Sequence, residues 1–103
     1  MRILWTDSAQ HSLDAAADYI FEEFGAIPLH EFYNSLDEIE ENLLFFPEMG
    51  KVEPLLQDRS KLYRSIVAAK YNKIIYFIDG DTIYIVDFWD TRREPKKQAM
   101  KTK

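Results

Sequence analysis

The chain has 103 residues, 47% hydrophobic, 15% aromatic and 30% charged, with 3 glycines, 4 prolines and no cysteine. That is the size and composition of one domain spanning 1–103 with its own core, and it excludes a disordered tail, a disulfide scaffold, a cysteine-ligated metal site and a thiol nucleophile. The formal net charge of −5 argues at first sight against a polyanionic partner. The charge is unevenly spread, however. Residues 1–58 hold thirteen acids against two bases, and residues 59–103 hold eleven bases against five acids. Such asymmetry points to an acidic partner on the basic side, or merely to a solvated acidic helix surface and a solubilising tail. No apolar run approaches the ~20 residues that span a bilayer. Met1–Trp5 leads into Asp7 without an apolar signal core. The expectation is a cytoplasmic protein that does not engage membranes.

In chain order the pattern predicts a strand, two helices and three strands. Ile3-Leu4-Trp5 reads as a short strand. Asp7 reads as an N-cap, with Gln10 three residues on to complete a capping box. Ala9, Leu13, Ala16, Ala17, Ile20 and Phe24 then recur at helical spacing, with Asp14, Asp18, Glu22 and Glu23 on the other side. Gly25 suits the position that ends a helix. Pro28 suits the first turn of a second helix, whose stripe is Leu29, Phe32, Leu36, Ile39, Leu43 and Phe46. Pro47 stops it. So short a connection makes the two helices an antiparallel hairpin.

Residues 47–61 read as a loop broken by Pro47, Gly50 and Pro54. Three strands follow: Leu62–Val67, Tyr71–Ile78 and Thr82–Trp89. Asp79-Gly80-Asp81 forms the hairpin turn between the last two. From Asp90 onward the chain turns polar and ends in a lysine-rich, frayed tail. The architecture expected is α+β, a small antiparallel sheet covered on one face by the helical hairpin. The other sheet face is left open, so an acidic helical back opposes a basic sheet front.

Few residues carry chemistry. His11 and His30 fall one in each helix without a partner at i+3 or i+4, so neither a metal site nor a cofactor is expected. Gly25, Gly50 and Gly80 are isolated and form no phosphate loop. The cluster that stands out is basic: Arg59, Lys61, Arg64, Arg92 and Arg93, with Trp89 just before the last two. Arginines beside exposed aromatics bind phosphates and stack bases. Equally, Arg64 could pair with Asp87 or Asp90 across the sheet and simply knit it together.

Several segments in order resemble the RelE/ParE superfamily of toxins from bacterial type II toxin–antitoxin systems. They are Trp5-Thr6; Ala9 with Asp18-Tyr19-Ile20; Leu36 and Ile39; Pro47 with Gly50; Tyr63-Arg64-Ser65-Ile66; Tyr71 through Tyr76; and Ile85 through Pro95, which includes Arg92-Arg93. The resemblance covers essentially the whole chain. It implies a β-α-α-β-β-β fold, a plasmid-stabilisation-type toxin, a cognate antitoxin as partner and no small-molecule cofactor. Two targets are compatible with it. A RelE-like mRNA endonuclease would use Arg64 and Arg92 or Arg93 as cations at the scissile phosphate, with Lys61 or Lys51 as base. A ParE-like toxin inhibits DNA gyrase by protein–protein contact, and Arg59, Lys61, Arg64, Trp89, Arg92 and Arg93 are then binding residues. A third reading is an inactive member that retains only antitoxin binding. No Tyr or His follows the last-strand arginines, and the chain is acidic overall, whereas phosphate neutralisation dominates RNA affinity. Both features favour the ParE-like expectation.

Overall fold

The computed structural model describes residues 1–69 and 72–92. Strand β1 (Arg2–Trp5) leads into helix α1 (Asp7–Phe24) and helix α2 (Ala26–Phe45). A two-residue strand β2 (Lys51–Val52) and a 3₁₀ turn (Pro54–Leu56) follow, then β3 (Arg64–Ala69), β4 (Asn72–Asp79) and β5 (Thr82–Asp90).

The helix ends follow local chemistry. Thr6, not Asp7, is the N-cap of α1. Its hydroxyl accepts from the Ala9 N–H at 3.2 Å, while Asp7 sits in the first turn, where a negative charge complements the helix dipole. Gly25 alone separates the helices, at φ +89°. Pro28 lies within the first turn of α2, and that helix ends at Phe45, two residues before Pro47.

The sheet order is β1-β5-β4-β3-β2. β3 to β5 pair antiparallel, as expected, and β2, within the segment read as a loop, joins β3 in the same sense, but β1 runs parallel to β5, with Arg2 opposite Thr82 and Trp5 opposite Ile85. The sheet is therefore mixed, because the helical hairpin carries the chain across before it returns. The β4–β5 turn has Gly80 at φ +61° and Asp81 at negative φ, the pattern of a II′ hairpin. β3 begins at Arg64 rather than Leu62. The predicted start of the second strand at Tyr71, and the tail from Glu94, lie outside the described residues.

Alternation sorts the strands' side chains. Ile74, Tyr76, Ile83, Ile85 and Phe88 join Ala9, Leu13, Ala17, Phe32, Leu36 and Leu43 in the main core under the helices. A bulge in β5 shifts the register between Ile75/Asp87 and Tyr76/Ile85. It lets Phe88 face the helices while Trp89 faces away. On that far side Leu56, Tyr63, Ile75 and Trp89 form a second cluster. Residues 53–63 cross this face as a strap, so the sheet front is half covered rather than open. A two-residue strand and a single 3₁₀ turn are too short to leave a periodic trace in sequence.

Candidate functional site

The structure divides the basic residues that the sequence grouped. Arg64 is the cross-strand neighbour of Tyr76, which points into the helix-covered core. Arg64 therefore lies on the helix side, not on the sheet front. Its guanidinium donates to the carbonyls of Gly50 (2.8 Å) and Glu48 (3.3 Å), which pins the turn after α2. The pairing of Arg64 with Asp87 or Asp90 is not formed, because β4 lies between β3 and β5. Asp87 is buried and instead accepts from the Phe88 N–H (2.8 Å), the Trp89 indole N–H (3.1 Å) and the Ser12 hydroxyl (3.3 Å).

Arg92 leaves the far end of β5 and forms an ion pair with Asp90 at 3.2 Å. Its guanidinium lies 5.8 Å from the Tyr19 ring centroid on α1. Hydrogen bonds to Asp90 and to the Tyr19 hydroxyl raise its pKa further. Arg93 lies outside the described residues. Trp89 is 2% exposed, under Leu56 and beside Lys73, whose ammonium stands 5.1 Å from the indole centroid. No stacking face is presented there.

Arg59 and Lys61 do reach the sheet front, carried by the strap. Arg59 forms an ion pair with Asp58. Lys61 Nζ lies 4.8 Å from the Phe77 ring centroid. Phe77 stacks on Tyr84 (5.1 Å between centroids, 20° between planes) and meets Tyr63 edge-on at 5.7 Å. With Leu4 opposite Tyr84, an apolar row runs from Tyr63, just before β3, across β4, β5 and β1. Tyr63 is buried and its phenol pKa is raised by desolvation, with the nearby Arg59 acting in the opposite direction. Phe77 and Tyr84 are half-buried and form the part of the row that a partner can touch. Sequence reading missed both. Their signal was the period-two alternation of β4 and β5 combined with the hairpin register at Gly80.

A second unforeseen feature is the Glu53–Lys73 ion pair on the same face. Glu53 is completely buried, and its carboxylate occupies the sheet surface one strap residue after β2. His11 and His30 are exposed on the two helices, remote from this face. Among the described residues no group of acids and histidines is placed to hold a metal ion, and no helix is long and apolar enough to cross a membrane.

A helical hairpin laid on a mixed sheet, with an aromatic row on the exposed side, is an α+β arrangement shared with known small toxins. The chromosomal ParDE toxin–antitoxin system of P. aeruginosa superposes with a TM-score of 0.69 at 19% identity, over 87% of this chain and 95% of that one. A YoeB/ParE toxin from Agrobacterium tumefaciens gives 0.59 at 17% identity, over 87% and 98%. No curated protein sequence matches the chain. The family described as the ParE toxin of type II toxin–antitoxin system, parDE, matches residues 3–95. The chain belongs to the ParE toxin family, and that family implies an antitoxin partner.

Proposed function

We propose that this chain is the toxin of a bacterial type II pair, that it inhibits DNA gyrase by protein–protein contact without cutting RNA, and that a cognate antitoxin neutralises it. One observation carries the choice of mechanism: among the described residues the cations do not converge. RNA cleavage by 2′-hydroxyl attack needs a base, an acid and cations focused on one phosphate. Arg64 is level with Tyr76 on β4, and Asp90 is level with Asn72. Four residues along the strands and two strand spacings put Arg64 and Asp90 about 16 Å apart at Cα, with Arg92 further on. Arg64 is also held on the helix side. On the sheet front Lys73 is neutralised by Glu53, so the pair offers no net positive charge to a phosphate.

The surface that suits contact with a protein is the Phe77–Tyr84 row with Lys61 at its rim. Aromatics are among the residue types that dominate protein interfaces, and a charged side chain such as Lys61 belongs at the polar rim. The test is induction of the chain without its antitoxin, with DNA, RNA and protein synthesis followed separately and gyrase supercoiling assayed on purified protein. Arrest of DNA synthesis and loss of supercoiling, with intact mRNA, is expected. Ribosome-dependent mRNA cleavage with normal supercoiling would replace this reading by the endonuclease one, and absence of growth arrest would leave an inactive antitoxin binder. Lys61→Glu and Phe77→Ala are expected to weaken gyrase inhibition at least tenfold. Arg92→Ala is expected to leave it within twofold.

A further inference from the structure

The apolar stripe of α2 places Phe46 on the core side, yet the structure leaves it 67% exposed, and its neighbour Phe45 is 81% exposed. Met49 and Val52, just beyond, are exposed as well. The Met49 N–H donates to the Phe46 carbonyl at 3.0 Å, a turn that folds Met49 back beside Phe46. Two rings so exposed show about 300 Å² of apolar surface, and Met49 and Val52 bring the patch past about 400 Å². Soluble monomers rarely show more than a few hundred Å² in one patch unless a partner covers it.

The patch is carried on a braced turn. The Phe46 N–H donates to the Asn42 carbonyl at 2.8 Å and closes α2. The Tyr76 hydroxyl and the Arg64 guanidinium then hold the backbone of Pro47, Glu48 and Gly50 between them. Little ordering entropy is therefore lost when a partner meets these rings. Two charges flank them. Glu48 and Lys51 are exposed, and neither side chain has an ion-pair partner among the described residues.

We propose that this end of the molecule is a two-fold contact with a second copy of the chain. Phe45 and Phe46 of both copies pack together, and Glu48 of each copy pairs with Lys51 of the other. A two-fold interface sets residue i of one copy against residue j of the other, and j against i. An acid and a base three residues apart beside an apolar patch are thereby complementary to themselves. Their charges cancel within one copy, so the patch has no net charge to select a strongly acidic or basic partner. The contact removes roughly 800–1,000 Å² in total, at the low end for a specific interface. The dimer is accordingly reversible, with a dissociation constant in the micromolar range.

Sedimentation equilibrium of the full chain across the micromolar range is the test, and a monomer–dimer equilibrium is expected. Glu48→Lys and Lys51→Glu each bring like charges together and are expected to weaken the dimer at least tenfold. Mixed in equal amounts, these two variants are expected to associate again, because each carries the charge that the other lacks. The double variant Glu48→Lys/Lys51→Glu is expected to dimerise alone. Phe45→Ser/Phe46→Ser changes only exposed side chains and should keep its circular dichroism spectrum while losing the dimer. A monomer at every concentration, a trimer or open polymer, or a mixture of the charge variants no more associated than either alone overturns the proposal. So does a dimer that Phe45→Ser/Phe46→Ser leaves intact. No arm uses gyrase, growth or an antitoxin, so the outcome is independent of the proposed target.

Discussion

Tyr76 is fully buried, yet its hydroxyl ties three segments together. It donates to the Pro47 carbonyl at 2.7 Å and accepts from the Gly50 N–H at 2.9 Å. The Arg64 guanidinium closes the same turn from the other side. Tyr76→Phe leaves a buried N–H and a carbonyl unpaired, which costs about 1–3 kcal/mol, measurable as a lowered urea midpoint. A Cβ at Gly50 would sit 2.7 Å from the Tyr76 oxygen and 2.8 Å from its ring carbon, so Gly50→Ala is expected to cost at least as much. Desolvation raises the Tyr76 pKa above the ordinary tyrosine value of 10.0, Glu48 adds to the rise, and Gly50 and Arg64 oppose it. Because the folded pKa is raised, the native state holds its proton more tightly than the unfolded chain. The associated stability is complete below pH ~10 and is lost as pH climbs from there through the folded value. Unfolding titrations above pH 10 should show that slope, reduced in Tyr76→Phe. At Glu53 the expectation differs. Glu53→Gln strands Lys73 and should cost about 3–5 kcal/mol, whereas Glu53→Leu with Lys73→Met should be near neutral, which a double-mutant cycle resolves. Neither role was legible in the sequence. Arg64 and Glu53 are ordinary charged residues there, and their faces depend on strand parity and on a strap that local pattern does not reveal.

The helices were legible almost to the residue, because an apolar stripe of 3.6-residue period and flanking Gly25 and Pro47 agree, although the N-cap of α1 is Thr6 and not Asp7. At Gly25 the backbone holds φ +89° and ψ −168°, a region open essentially only to glycine, and nothing would touch a Cβ there. The cost of Gly25→Ala is thus purely conformational, about 1–3 kcal/mol, and should appear as a fall in thermal midpoint. D-alanine placed at 25 by chemical synthesis finds this conformation allowed by mirror symmetry. It should stabilise instead, by about 0.4–1 kcal/mol, through a less flexible unfolded chain. The strands β3, β4 and β5 were legible through their β-branched and aromatic content. The parallel pairing of β1 was not, since four residues carry no information about which distant strand they will join. Nor was β2, which has only two residues.

For the molecule as a whole, the contrast between acidic helices and basic strands survives, but less sharply than the two halves of the sequence imply. Arg64 and Arg92 turn to the helix side and Lys73 is neutralised, while Lys61, Arg59 and, opposite Ser65, Lys51 lie at the sheet front beside the aromatic row. The topology also dictates how the chain folds. β5 is an interior strand, paired with both β1 and β4, and it supplies Ile83, Ile85 and Phe88 to the core. A chain truncated after Asp81 loses all three and is expected to show no cooperative unfolding transition by calorimetry or denaturant titration. Contacts such as Arg2 with Thr82 close across 80 positions of sequence, and such non-local pairing slows folding towards the millisecond-to-second range. Stopped-flow refolding should find it there. Synthesis adds a further consequence. The ribosome delivers β1 early and β5, its neighbour among the described strands, late, so for most of translation the nascent chain lacks a finished sheet and an assembled aromatic row. If the proposed contact is made through that row, strand order delays it until synthesis is nearly complete, and a partner already present has that interval in which to meet the chain.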